Sequence, residues 1–476
     1  MPPTPRTGFV HAVGTDLLDD QGPLRLRGIG LGNWLLAEGY MWRFGDEQSS
    51  PRLIEARIET LVGPHRAAEF WQRFVDTFVT ERDFAEIAKM GFDHVRLPLN
   101  SRGLIDENGA FRPAGFELVD RAVAWGGRHG LRVLLDLHGA PGGQTGTNID
   151  DAENGKPELF MDDRHRAQTV RLWQELARRY RDSETVLGYD LLNEPLPNEW
   201  QHIYSDELVS LYRELTVAIR EIDDRHLLVY EGSHWATNWA PLEDRFDDNQ
   251  ALQFHRYWCP PDETSITEFL ETRDRLKTPI YMGEGGENTP AWIYAATRLY
   301  ERHGIGWNFW TWKKLGTATS PLSASVPDGW DEIADPTARP TAERAWQILE
   351  KFLGAVAAEN CVVQTPVLDA LFARAPLRLP AWGGVRDSRE TPIAQLAATV
   401  VPEGVWHHTS GEPYAPEEYF PVSLAPGSTL TFDLASAPVS WDVHADSPLL
   451  STRWDGTSLV LQAREPTRVN SVDVHS

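Results

Sequence analysis

Short apolar runs rich in Val, Ile and Leu alternate with longer amphipathic stretches as far as about residue 358, the pattern of repeated βα units around a parallel sheet. Eight such runs predict strands at 24–32, 94–99, 132–138, 187–193, 226–231, 252–257, 279–283 and 305–310. Helical periodicity marks 67–90, 114–128, 164–181, 205–222, 265–275 and 291–303 between them, and 341–353 after the last strand. In Lys89-Met90-Gly91, Arg128-His129-Gly130 and Arg302-His303-Gly304, basic residues and a glycine stand where a helix hands over to a strand. This regularity predicts an α/β protein built on a (β/α)8 TIM barrel.

Past residue 358 the texture changes. Proline becomes frequent, helical periodicity disappears, and short runs remain at 362–367, 429–434, 439–443 and 458–463. The expectation is a catalytic barrel over 1–358, opened by a hairpin of 9–14 and 24–27, and a C-terminal β-sandwich domain over 359–476.

Composition narrows the function. A net charge of −25 repels nucleic acid and anionic membrane surfaces, so a neutral substrate is expected and no nucleic acid. With only Cys259 and Cys361, and no Cys/His spacing of the zinc type, neither a disulfide framework nor a metal or cofactor is expected. No apolar run reaches the ~20 residues of a membrane span, and no leader pattern opens the chain, so no membrane insertion and a cytoplasmic location are expected. Many of the 19 tryptophans fall in predicted loops.

Barrels of this kind build their chemistry at the C-terminal ends of the strands. The fourth predicted strand runs into Asn193-Glu194-Pro195, where Pro195 is expected to stop the strand as Glu194 reaches the mouth. The seventh runs Tyr281-Met282-Gly283-Glu284, and the glycines that follow, Gly285 and Gly286, are expected to let a substrate approach closely. Two carboxyl groups facing each other across a barrel mouth are what retaining glycoside hydrolysis requires: one protonates the leaving oxygen while the other attacks the sugar carbon. Alone, Asn193-Glu194-Pro195 reads equally as a helix start, and 283–287 as a solvated turn. The pair carries the signal.

Strand alternation adds partners. If Glu194 points inward, so do Asp190 and Leu192; on the second strand Arg96 shares a face with His94, and on the third Asp136 with His138. A charged group inside a barrel needs a partner, so Arg96 is expected to meet Glu284, Asp136 or Asp190. Glu287, three residues beyond Glu284, is the rival nucleophile, and alternation with the preceding Tyr281-Met282-Gly283 favours Glu284.

Val95-Arg96-Leu97-Pro98, Leu137-His138-Gly139-Ala140-Pro141-Gly142, Leu192-Asn193-Glu194-Pro195, His255-Arg256-Tyr257, Gly283-Glu284 and the run from Trp307 to Lys313 together resemble glycoside hydrolase family 5. The likeness covers roughly 24–320 and is greatest to its exo-β-1,3-glucanase and β-glucosidase branches. It implies Glu194 as acid/base and Glu284 as nucleophile, Asn193 on the sugar 2-hydroxyl, and Arg96 and Tyr257 orienting Glu284. His138 and His255 would line the subsite of the attacked sugar, and Trp310 would form its floor. Trp310 and Trp312 would share a face by alternation. The aromatic stretch 234–239, with Trp235, and the loop 139–161 are expected to wall off one end of the cleft, which favours exo action on β-glucosides or short β-gluco-oligosaccharides. Alternatives are an endo-acting glucanase or mannanase, a hydrolase of glycosylated lipids or natural products, a metal-dependent hydrolase using the two histidines, or a silent carbohydrate-binding protein.

Overall fold

The computed structural model describes residues 6–45, 49–197, 199–257, 259, 261–380, 385–386 and 422–476. Its centre is a closed barrel of eight parallel strands: β1 (Arg27–Gly30), β2 (His94–Asn100), β3 (Arg132–Gly139), β4 (Val186–Asp190), β5 (Leu227–Glu231), β6 (Gln250–His255), β7 (Ile280–Gly286) and β8 (Gly306–Trp310). Trp307 of β8 stands opposite Arg27 of β1 and closes the ring.

The barrel interior is stratified. Its N-terminal half is apolar, with Leu134, Leu187, Leu227, Val229, Ala251 and Tyr281 packed together with Val10 and Leu17 from the segment ahead of the barrel. His94 also stands inside, its Nε2 2.6 Å from the Tyr281 hydroxyl. Gly28 makes room for it: a Cβ there would lie 2.1 Å from the imidazole. Above this layer the inward side chains become ionic. Strand hydrogen bonding leaves a side chain every second residue free to point inward, so one strand can fill the plug with one residue and build chemistry with the next inward one.

Several elements differ from the pattern read in the sequence. The stretch 67–90 is two helices, Pro64–Phe78 and Glu81–Met90, because Thr80 and Asp83 form a capping box that starts the second. A further helix, Pro51–Val62, precedes them. Of 362–367 only Val362–Val363 is strand, paired with Leu322–Ala324. Pro366 then opens a helix, Thr365–Leu371, that buries Val367, Leu368 and Leu371.

Beyond it lie two antiparallel sheets. In one, the strand Thr467–His475 pairs with Leu377–Pro380, Val422–Leu424 and Ser440–Ala445; the other contains Val385–Arg386, Thr429–Asp433, Ser458–Ala463 and Leu450–Trp454. The helix after β7, Pro290–Arg302, is buried from Ala291 to Glu301, between the barrel and these sheets. Its Tyr294 hydroxyl donates to the Asp433 carbonyl at 3.0 Å. A helix buried on every side is apolar over most of its surface, as in Ala-Trp-Ile-Tyr-Ala-Ala from Ala291, and its buried Arg298 and Glu301 pair with each other at 2.8 Å. No described helix is long and apolar enough to cross a membrane.

Candidate active site

A cavity of about 1020 Å³ lies at the C-terminal mouth of the barrel, and His138, Glu194, Trp235, His255, Tyr257, Glu284 and Trp310 all line it. Arg96 and Asn193, the other two residues singled out in the sequence, are fully buried beneath the carboxylates. The nine residues therefore come together at one place.

Glu194 is not held by a strand. β4 ends at Asp190, four residues before it, so neither Pro195 nor strand alternation sets its direction. Glu194 and Leu196 instead take left-handed backbones, with φ of 44° and 56°. The turn is tied on both sides: the Glu194 N–H donates to Glu231 Oε2 at 2.7 Å, and Gln144 Nε2 donates to the Asn193 and His138 carbonyls at 2.9 and 2.7 Å. These bonds offset the strain of two non-glycine residues in that region.

Glu284 owes its direction to a bulge. Tyr281 faces the barrel interior and Met282 the outer core, so simple alternation would send Glu284 outward with Met282. The pairing of β7 slips between Met282 and Glu284 on one side and between Met282 and Gly285 on the other, and the slip turns Glu284 to the mouth. The glycines are required by this packing. A Cβ on Gly285 would strike the Arg256 carbonyl at 2.6 Å, and one on Gly286, φ 142°, would meet the Trp310 carbonyl at 2.6 Å.

Within this frame Glu194 and Glu284 bring carboxylate oxygens within 4.8 Å of each other, with His255 at the same distance or less from both. Arg96 sits beneath as a hub. It donates to Glu284 Oε1, to Asp190 at 2.7 Å, to Asn193 Oδ1 at 2.8 Å and to Glu231 at 3.1 Å, and lies 3.2 Å from Asp136. All three acids expected of it are present, and Glu231 is a fourth. The second oxygen of Glu284 accepts from the Tyr257 hydroxyl at 2.7 Å.

The two histidines differ in charge. Burial strongly opposes charge on His138, the nearby Arg96 adds to this, and its pKa falls to about 4; its Nδ1 lies 2.7 Å from Asp136. Burial also opposes charge on His255, but the carboxylates of Glu231 and Glu284 and hydrogen bonds to Glu194 and Glu231 outweigh it and raise its pKa well above the ordinary value. As an imidazolium it donates Nδ1–H to Glu194 Oε1 at 2.6 Å, with Nε2 3.4 Å from Glu231. Glu231 is lowered in turn: burial works against its charge, and His255, Arg96 and the Glu194 N–H prevail.

Of Trp307, Trp310 and Trp312 only Trp310 lines the cavity. It lies parallel to His138, interplanar angle 3°, and its Nε1 donates to the Tyr40 hydroxyl at 2.8 Å. Trp312 does not share its face, since its Nε1 reaches Asp83 outside the barrel at 2.8 Å. Trp307 bonds Glu301 instead. Trp235 belongs to a run of three left-handed residues, 234–236, joined to the Glu194 turn through the His234 N–H and the Leu196 carbonyl at 2.9 Å. From the long loop 139–161, Asn148 and Ile149 reach the cavity, whereas Asp150 turns inward to cap Thr145, Gly146 and Ala152 N–H groups.

Sequence reasoning missed Glu38, Tyr40, Glu231 and Gln253. Glu38 and Tyr40 follow β1 and line the cavity, yet no recognisable spacing marks them. Burial, and then the negative charges of Glu284, Glu287 and Glu194, raise Glu38 well above the carboxylate range. Glu231 closes the predicted strand 226–231 and Gln253 lies within 252–257, so both stood at strand positions. Glu287 lines the cavity with a left-handed backbone, φ 52°, and is salt-bridged to buried Lys314 at 2.5 Å. As for a metal, Glu194, His255 and Glu284 converge closely enough to hold one. Each of them is already engaged, Glu284 by a guanidinium, which a cation there would have to displace.

Residues 60–316 match the model for cellulase, glycosyl hydrolase family 5, and the chain belongs to that family. A β-xylosidase of Phanerodontia chrysosporium is 30% identical over 52% of this chain and 52% of its own. A probable glucan 1,3-β-glucosidase A of Emericella nidulans is 33% identical over 49% of this chain and 57% of its own. Endoglucanase C of Acetivibrio thermocellus is 33% identical over 52% of this chain and 87% of its own. The chain thus spans about half the length of the first two relatives. Among solved structures, an endogalactoceramidase shares the fold over 98% of this chain and all of its own, at 17% identity and a TM-score of 0.53.

Proposed function

We propose that the protein is a retaining β-glycosidase, with Glu194 as acid/base and Glu284 as nucleophile, acting from the chain end on β-glucosides or short β-gluco-oligosaccharides. The observation that carries this is the separation of the two carboxylates. Oxygens within 4.8 Å of each other fit direct attack on the sugar, whereas an inverting pair stands ~6.5–9.5 Å apart to admit a water.

In the first step Glu194 gives its proton to the glycosidic oxygen, the C1–O bond breaks, and a Glu284 oxygen bonds C1. In the second, Glu194 takes a proton from water, the water oxygen bonds C1, and the Glu284 ester bond breaks. Asn193, aligned by Arg96 at 2.8 Å, is placed to hold the 2-hydroxyl. The Trp310 face provides an apolar floor for the C–H face of a pyranose. The names of the relatives, a β-xylosidase and a glucan 1,3-β-glucosidase, support a β-linked substrate released as single sugars, while the endoglucanase among them keeps the endo alternative in play.

The test is the stereochemistry of the first product from an aryl β-glucoside, followed by proton NMR. The β-anomer is expected first; the α-anomer would exclude retention. A 2-fluoro-glycoside should label Glu284, and label on Glu287 would overturn the nucleophile.

A further inference from the structure

Several polar groups in the cavity, and Lys314 behind them, are not consumed by the chemistry proposed above. The Glu38 carboxyl, 3% exposed, has no hydrogen-bond partner among the described residues beyond an approach of 3.9 Å to His138 Nε2. The Tyr40 hydroxyl accepts from Trp310, and its own proton meets no acceptor among the described residues. Glu287 uses Oε1 on Lys314, and among the described residues its Oε2 accepts no hydrogen bond and Lys314, also 3% exposed, makes that single hydrogen bond with an ammonium that has three donors. It also lies over the Tyr40 ring, whose centroid is 5.6 Å away, and its charge acts on Glu38. Hydrogen-bonding groups that face a cavity and are not paired within the protein are available to what binds there. A polyhydroxylated ligand that fills the cavity can engage them.

The order of these groups is informative. Asn193 Nδ2 lies 3.4 Å from His138 Nε2, His138 Nε2 lies 3.9 Å from Glu38, and Lys314, bonded to Glu287, stands over the ring of Tyr40, two residues on from Glu38. If Asn193 holds the 2-hydroxyl, the series Asn193, His138, Glu38, Glu287 runs round a pyranose in the order of its carbons, from C2 through C3 towards C4 and C6. Resting on the glycosidase reading, we propose that Glu287 and Lys314 are a specificity-determining pair that receives the hydroxyls on the C4–C6 edge of the terminal sugar. Lys314 fixes the Glu287 carboxylate, and Oε2 of that carboxylate accepts from the sugar. A charged pair at that edge recognises terminal hydroxyls and leaves no room for a further glycosyl unit, so the same pair enforces attack from the chain end.

The experiment compares kcat/KM for an aryl β-glucoside with its 4-deoxy and 6-deoxy analogues, in the wild type, in Glu287→Gln, and in the double variant Glu287→Gln, Lys314→Met, which leaves no orphan charge. A site built around a hydroxyl rejects the analogue lacking it by a large factor, so the wild type should disfavour at least one deoxy analogue by ~100-fold or more. In both variants that ratio should collapse below ~10-fold while 2-fluoro-glycoside label still arrives at Glu284. An unchanged ratio in both variants, or an equal loss on parent and deoxy substrates, would overturn the specificity role and leave the glycosidase reading standing. Failure of the wild type to cleave any aryl β-glycoside would instead overturn the reading on which the inference rests.

Discussion

Removing the Tyr257 hydroxyl should slow one half of the reaction and spare the other. Its bond to Glu284 Oε2, 2.7 Å long, is a neutral donor on a charged acceptor, worth about 1.5–3 kcal/mol while the charge persists. Burial, and then the charges of Glu284 and Glu287, push the Tyr257 phenol well above its ordinary pKa, so it stays a donor across the working range. When Glu284 attacks C1 its negative charge drains into the new ester, and the bond weakens on the way to the transition state; losing it does not raise that barrier. When water displaces the ester the charge returns to Glu284 and the bond strengthens. Tyr257→Phe should therefore slow deglycosylation by about 10- to 100-fold, one decade for each ~1.4 kcal/mol lost. With a dinitrophenyl β-glucoside, stopped-flow absorbance should show a burst of about one equivalent of phenol. The kcat should fall, and KM should fall with it, leaving kcat/KM nearly constant. A variant with no burst, whose kcat/KM drops as far as kcat, would refute the reasoning, because the hydroxyl would then be stabilising the first transition state.

His138, folded with a pKa near 4 against about 6.5 unfolded, takes up its proton in the unfolded chain first, so stability is lost as pH falls through that window, by ~3 kcal/mol at most. The destabilisation of His138→Asn relative to wild type, read from urea unfolding, should accordingly shrink between pH 6.5 and 4; a constant difference would contradict it. Asp83→Asn should cost ~3–5 kcal/mol, because it strips the counterion from Lys313, 2.7 Å away with both side chains fully buried, and it disturbs the bonds from Trp312 and Thr80. Adding Lys313→Met should recover part of the urea midpoint, and a loss below ~1 kcal/mol in the single variant would show the pair to be dispensable. Turnover should survive a chelator, since the cluster of Glu194, His255 and Glu284 is internally bonded; activity lost to EDTA and restored by a divalent ion would favour a metal-dependent site.

The barrel was legible because its strands are buried on both faces and its helices on one, and these two periodicities survive in sequence with little interference. Each of the eight predicted strand runs overlaps a barrel strand. What failed were boundaries decided by one or two residues: the capping box at Thr80 that divides one amphipathic stretch into two helices, and Pro366, which opens a helix within an apolar run. In the C-terminal sheets, Leu450–Trp454 and Thr467–His475 escaped notice because charged residues interrupt them, as outward positions of a solvated strand allow.

The site teaches a narrower lesson about alternation. That rule correctly drew Arg96, Asp136 and Asp190 together, because all three lie within regular strands whose inward faces meet. It gave no valid account of Glu194 and Glu284, the residues whose placement mattered most. Glu194 lies beyond the end of β4 on a left-handed turn, and Glu284 lies on a bulge of β7. Both departures have the same physical use. A regular strand can offer the mouth only what its pleat allows, whereas a turn or bulge moves a carboxylate to where the reacting atoms must be and is then fixed by bonds from elsewhere. Here those bonds come from Glu231, Gln144, Arg96 and Tyr257, contributed by β5, the loop after β3, β2 and the end of β6. The two carboxylates are thus positioned mainly by other elements of the barrel, and that part of the design has no local signature. Glu231 illustrates it: an unremarked acid at the end of β5 holds the backbone of Glu194, the guanidinium of Arg96 and the charge of His255 together.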